Sequence, residues 1–326
     1  MESNYSAKII QASVCRGINI YTMELEYPRF IHSQVMTHRV FSRNTASSRA
    51  IKIRHYIKQV EENPALPIFY GQNGSGMSPR DELGGVESLL CRTKILEMRD
   101  NTIADVKQLE DLGLHKQSVN RYLEPWYMTK VLVTATDLEN FFFLRHDKPS
   151  SGHNPAQEEV KHLAELMKKA VLECEPEEIT PDMWHVPYVN RVIDLDHKQI
   201  AYYIDDGSPG GLRLTEDQAV AVSSSCSAQI SFRTLVKTLK KAGRVNDKLM
   251  PQDTEVDPLH GSAFEHPAKP MSSAEWSDRM GFLDLIKERN LFFGGVWTDP
   301  EQILYCGNFR GWIQKRKLMA NEAKKG

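Results

Sequence analysis

Apolar side chains at Ala156, Val160, Leu163, Ala164, Met167, Ala170 and Val171 fall on one face of a helix over residues 156–171, and the other face is polar. A one-sided helix must bury its stripe against a second layer of structure. The β-rich runs 8–15, 18–25 and 127–134, with 200–204 further on, read as strands. Further helices are expected over 30–41, 81–112 (one helix or two), 114–123, 137–144, 215–224 and 311–323. Val86, Leu89, Leu90, Ile95, Leu96, Ile103, Val106 and Leu109 form the apolar stripe of the second of these. Gly113 is placed to cap it and Pro125 to break the next. Stretches 73–80 and 205–211 read as loops, 244–261 as polar and irregular, and the acidic 173–182 as a candidate boundary. The expected fold is therefore α+β, a mixed β-sheet flanked by helices. Regions 1–174 and 175–326 are expected to pack into the same fold.

With 326 residues, 40% of them hydrophobic and 26% charged, the chain can build a real core, which excludes dominant disorder. A net charge of -2 gives no global basic field, so neither nucleic acid nor an anionic membrane is an expected partner. No apolar run reaches the roughly 18 residues that a membrane span needs, and residues 1–6 lack the marks of a signal peptide. The 5 cysteines are scattered without a CxxC pair, which points to reduced thiols in a cytoplasmic protein and against a cysteine-rich zinc site. His146 and His153 flank a loop without a third ligand, so no metal is expected. Gly71, Gly74 and Gly76 miss the dinucleotide-binding spacing and read as turn residues.

The informative segment is 31–50, IHSQVMTHRVFSRNTASSRA. On the expected helix Gln34, His38 and Ser42 share a face, with Arg39 and Arg43 on the next ridge. Asn44, Ser47, Ser48 and Arg49 follow as the chain leaves the helix. Guanidinium forks, hydroxyls and freed backbone N–H groups are what phosphate binding uses. Composition alone is equally met by a solvated polar face.

These residues resemble the signature of the flavin-dependent thymidylate synthases, RHR, seven residues, S, inside QxxRHRxxSxNExSxRY. Gln34, His38, Arg39, Ser42, Asn44, Ser47 and Arg49 match, while Thr37, Thr45 and Ala50 replace Arg, Glu and Tyr. Arg121 with Pro125 resembles the family's RxxLP element, 140–145 (NFFFLR) its NFLxLR element, and Ala156-Gln157 its AQxEI helix. QISF at 229–232 and GSAFEH at 261–266 resemble RVSF and SPFEH elements that precede the arginine motif in most members and follow it here. That order resembles a permuted or internally duplicated member of the type found in phage genomes, which would act in the host cytoplasm.

The resemblance implies C5 methylation of dUMP to dTMP with FAD, NADPH and methylenetetrahydrofolate, without a cysteine nucleophile. It implies that Gln34, Ser47, Ser48, Arg49, Arg121 and Arg145 hold the nucleotide. It puts Thr37, His38, Arg39, Asn44 and His266 against FAD. Arg145 is the implied stabiliser of the uracil anion, with Arg39 and Ser47 beside the chemistry, Ser47 as a phosphate ligand rather than an unassisted nucleophile. It also implies a homo-oligomer, a tetramer or, given the extra length, a dimer. Plain structural roles compete at three positions: Arg145 snorkelling from a core helix, His266 at the surface, and Cys226 as a buried small residue. The departures at Thr37 and Thr45 raise one alternative, methyl or hydroxymethyl transfer to another pyrimidine nucleotide, and a catalytically silent nucleotide-binding relative stands as a separate one.

Overall fold

The computed structural model describes residues 5–76, 78–79, 81–147, 156–194, 199–231, 235–250, 260–288 and 300–319. The chain opens with a hairpin, β1 (Ser6–Cys15) and β2 (Ile18–Pro28), turned at Arg16 and Gly17, both at positive φ. There follow α1 (His32–Val35), β3 (Ser42–Thr45), α2 (Ile53–Glu62), α3 (Gly85–Asp111), α4 (Lys116–Tyr122), β4 (Met128–Ala135), α5 (Glu139–Arg145) and α6 (Glu158–Leu172). Then come β5 (Glu177–Glu178), β6 (Asn190–Asp194), β7 (Gln199–Ile204), β8 (Leu212–Leu214), α7 (Glu216–Ala228) and α8 (Leu239–Leu249). The last elements are β9 (Ala268–Pro270), α9 (Ser273–Glu288), β10 (Tyr305–Cys306), β11 (Phe309–Arg310) and β12 (Trp312–Gln314). This is an α+β fold.

The main sheet has the order β3-β4-β2-β1-β5. Its pairings are antiparallel except β1 with β5, so it is mixed. Strand alternation sorts its side chains into two faces. Tyr21, Met23, Leu25, Tyr27, Val131, Val133 and Ala135 point to one face, where they meet Phe141 and Phe142 of α5 and Val160, Leu163, Ala164 and Met167 of α6. The stripe read from the sequence at 156–171 is thus the layer that covers this face. The opposite face carries Cys15 and Ile20, packed on Ile179, Met183, Ala268, Phe309 and Trp312. The acidic stretch 173–182 contains β5, which joins the main sheet.

Four local expectations need correction. The expected helix 30–41 is only a 3-10 turn at Arg29–Ile31 and the single turn α1. Its successor, residues 42–45, is a strand, because Ser42 and Asn44 alternate onto a sheet face and pair with Thr134 and Leu132. Gln34, His38 and Ser42 therefore share no helix face. The expected last helix 311–323 is β12 and a 3-10 turn at Lys315–Leu318, with Trp312 and Ile313 drawn into the sheet pairing with β9; residues 320–326 lie outside the described residues. In α3 the stripe is buried at Ile103 and Val106 and partly at Ile95 and Leu109, while Val86, Leu89 and Leu90 are exposed. In 244–261, residues 244–249 belong to α8, and 251–259 lie outside the described residues, as do His153 and Phe232. Gly113 does end α3, at φ +85, with Gly113 N–H bonded to Glu110 O (2.9 Å) and Leu114 N–H to Leu109 O (3.0 Å).

Candidate active site

The second sheet face carries an unusual polar row. Thr22, Thr134 and Ser42 lie side by side in register, each 0% exposed. Buried hydroxyls need partners, and the C-terminal region supplies them. Thr22 Oγ1 lies 2.7 Å from Thr134 Oγ1 and 2.8 Å from His185 Nε2. Thr134 Oγ1 reaches His266 Nδ1 at 2.8 Å, and Ser13 Oγ reaches His185 Nδ1 at 2.7 Å. Arg191 Nη2 donates to Ser13 Oγ (2.8 Å), and Gln314 Nε2 to Ser42 Oγ (2.8 Å). A guanidinium only donates, so a head-to-tail chain from Arg191 to His266 satisfies every link. His266 Nε2 ends that chain without a hydrogen-bond partner among the described residues. Burial forces both imidazoles neutral, His266 down to about 3 and His185 well below the usual histidine value, with Arg191 and His266 adding to the effect on His185.

Two hollows lie beside the motif segment. Gln34 and Arg145 line a cleft of about 840 Å³ together with Phe30, Trp126, Gln157 and Lys161. Arg145 Nε donates to His38 Nε2 at 3.1 Å, joining the histidine of the arginine motif to the last residue of the NFFFLR element. His38 is buried against Phe41 and Phe141, and burial, Arg145 and Arg43 take its pKa down to about 4. It is therefore a neutral acceptor that orients Arg145. Arg43 turns inward to the carbonyls of Met36 (2.6 Å) and His38 (3.1 Å) and splints the bend between α1 and β3. Arg39 and Thr37 are exposed.

Ala46, Ala50, Ile51 and Lys52 line the other groove, about 520 Å³, with Tyr56, Met128, Lys130, Ile230 and Ser231. Ser47 N–H bonds to Ser231 Oγ (2.8 Å), and Asn44 Nδ2 to Ser227 O (3.0 Å). Ser48 is buried and Arg49 exposed. Arg121 is exposed and paired with Glu124 at 2.6 Å. The arginines at 39, 43, 49 and 145 thus do not share one cleft within a single chain. His266 lies wholly inside the protein rather than at the surface.

Sequence reasoning missed one residue that shapes the motif turn. Asn120, fully buried, donates to Ser48 O (2.6 Å) and Ile51 O (3.0 Å) and so holds the motif turn. Ser231 of the QISF element and Gln157 of the AQxEI-like element reach the motif across 184 and 123 residues, to Ser47 N–H and Gln34 Nε2.

The cleft of this α+β protein gathers two amides, a guanidinium and aromatic walls, with Glu158, Glu159 and Lys161 at its lining. Residues 14–177 match the family described as thymidylate synthase complementing protein, and the chain belongs to that family. It is a thymidylate synthase-like methyltransferase, one of the nucleotide C5 methylases. No curated protein sequence matches it. Among solved structures it is similar to the UMP/dUMP methylase PolB from Streptomyces cacaoi bound with 5-Br UMP, at 15% identity and a TM-score of 0.46 over 53% of this chain and 90% of that one. The same methylase bound with 5-Br dUMP aligns at 15% identity and a TM-score of 0.44, over 52% and 91%. No helix among the described residues is long and apolar enough to cross a membrane, and no three potential metal ligands cluster there.

Proposed function

We propose that the protein methylates C5 of dUMP, using FAD, NADPH and methylenetetrahydrofolate. The observation that carries this reading is the Arg145–His38 contact beside Gln34, which brings together two motif elements 107 residues apart. Arg145, held by a neutral His38, faces the pyrimidine and stabilises the negative charge that develops when C5 becomes nucleophilic. Gln34 reads the base. Ser47, Ser48, Arg49 and Arg121 take the phosphate. Within one chain the base cleft and the motif turn border different hollows. A homo-oligomer in which neighbouring protomers combine them accounts for this.

The residues near His38 suit a flavin. Val40, Phe143 and Leu144 are exposed apolar side chains within two positions of His38 or Arg145, and Arg39, between His38 and Val40, is exposed too. That gives a planar apolar ring a ledge and its phosphates a guanidinium. Thr37 adds no charge there. Asn44 and His266, by contrast, are engaged inside the protein. When bound, the reduced flavin supplies the hydride and the protein positions and polarises.

The test is tritium release from C5-labelled dUMP with reduced flavin and the folate, alongside the colour of the purified protein. Yellow protein bleached by NADPH, with tritium release, supports the reading. Colourless protein that takes up no added FAD overturns it in favour of a silent nucleotide-binding relative. The changes at Thr37 and Thr45 remove one charge of each sign from the motif and favour a second reading, methyl or hydroxymethyl transfer to another pyrimidine nucleotide. Release from a different labelled pyrimidine nucleotide, and none from dUMP, would select it.

A further inference from the structure

The N-terminal half of α3 carries apolar side chains that nothing among the described residues covers. Val86, Leu89 and Leu90 are 69%, 62% and 65% exposed. With the exposed Thr93 and the half-buried Leu96 they recur at three- and four-residue spacing and form one stripe. Ile95, Ile103, Val106 and Leu109 lie round the other side of the helix and pack with Tyr56 and Ile57 of α2 and Val119 of α4. The helix is thus apolar on two sides, one covered and one bare. A helix that is apolar all round belongs in an interior, and an exposed apolar stripe marks a contact surface.

The charges beside the stripe indicate what covers it. Glu87 and Lys94, both exposed, stand two turns apart on one flank of the stripe. A two-fold axis passing midway between them, beside Leu90, lays a second α3 antiparallel across the first. Each of the two charges lies about 5 Å along the helix from that axis, on opposite sides of it. The axis therefore brings Glu87 level with the partner's Lys94, and Lys94 level with the partner's Glu87. Leu90 sits at the centre, with Leu89, Val86 and Thr93 around it. A surface that complements itself in this way is what an isologous contact requires, and flanking charges of this kind set partner and direction in paired helices. Lys94 Nζ also reaches Glu97 of its own chain at 2.8 Å. That exposed contact contributes little and leaves further N–H groups of Lys94 to donate.

We propose that the bare stripe of α3 is a docking surface for a second copy of this chain, paired antiparallel about a two-fold axis beside Leu90. The proposal supplies a surface for the homo-oligomer invoked above and rests on that part of the reading, not on the choice of nucleotide. The same stretch of helix lines the base cleft through Ile95, so the second copy stands beside that cleft. The experiment is sedimentation velocity over a concentration series on the full chain and three variants, with a thermal melt of each. The wild type should associate. Leu90→Glu should halve the mass of the wild-type dimer contact while the melt shows a folded protein, because Leu90 is exposed in the single chain. Glu87→Lys sets two pairs of like charges face to face and should weaken association by about 10- to 100-fold. Glu87→Lys combined with Lys94→Glu exchanges the charges and should restore it to within about threefold of the wild type. Failure of the double variant to recover overturns the two-fold register and the proposal with it. An assembly unchanged by Leu90→Glu overturns this surface and leaves the homo-oligomer standing on another face. A wild type that stays monomeric at every concentration overturns the homo-oligomer as well.

Discussion

Protonating His266 should unfold this protein from within. Its ring is fully buried, Nδ1 is committed to Thr134, and its pKa is down to about 3 in the folded state. The unfolded value lies near 6.5. The unfolded chain therefore binds more protons in the window between these values, and stability rises with pH across it. The stabilisation is present above about pH 6.5 and is lost progressively as pH falls toward 3. From about pH 7 to about pH 5 the linkage relation gives a loss of about 2 kcal/mol from this one group. His185 is depressed in the same direction and adds to the loss. The perturbation is His266→Asn, whose Oδ1 can accept from Thr134 Oγ1 where Nδ1 did and which does not titrate. Denaturant unfolding of both proteins at about pH 7, 6 and 5 reads the effect. The wild type should lose about 2 kcal/mol more than the variant over that window. His32 and His38, both depressed to about 4, contribute equally to the two proteins and cancel. Parallel pH profiles for the two proteins would show that His266 titrates normally and that the buried chain is not closed as described.

Two further outcomes follow from packing and from the motif turn. Leu163→Ala opens a cavity where α6 meets the main sheet, and chemical denaturation should show a loss of about 2–5 kcal/mol; a loss under 1 would mean that this layer is loosely packed. Asn120→Ala leaves the carbonyls of Ser48 and Ile51 without their buried donor, so it should cost about 1–3 kcal/mol and weaken nucleotide binding as well; calorimetric titration with dUMP that matches the wild type would separate the turn from the ligand.

Periodicity made much of the fold legible. The hairpin β1–β2, strand β4, helix α6 and the cap at Gly113 follow from alternation, from a 3.6-residue stripe and from glycine's access to positive φ. These signals are local and need no partner to be read. The helix expected over 30–41 failed because propensity cannot see that Ser42 and Asn44 would be recruited by an existing strand edge. Its polar periodicity fits a helix and a sheet face equally well. The segment 311–323 failed for the same reason, with Trp312 buried between the main sheet and β9 rather than on a helix.

The sequence by itself determined the chemistry on offer: an imidazole, guanidinium groups and amides concentrated in one short stretch, and the one-sided helix that obliges a sheet to lie beneath it. Tertiary structure decided which of those groups meet. Arg145 reaches His38, Gln157 reaches Gln34, and His266 closes a buried chain rather than facing a ligand, because strand register and the docking of the C-terminal region set those distances. Contacts between residues more than a hundred positions apart depend on how whole layers stack, and no local pattern along the chain encodes that.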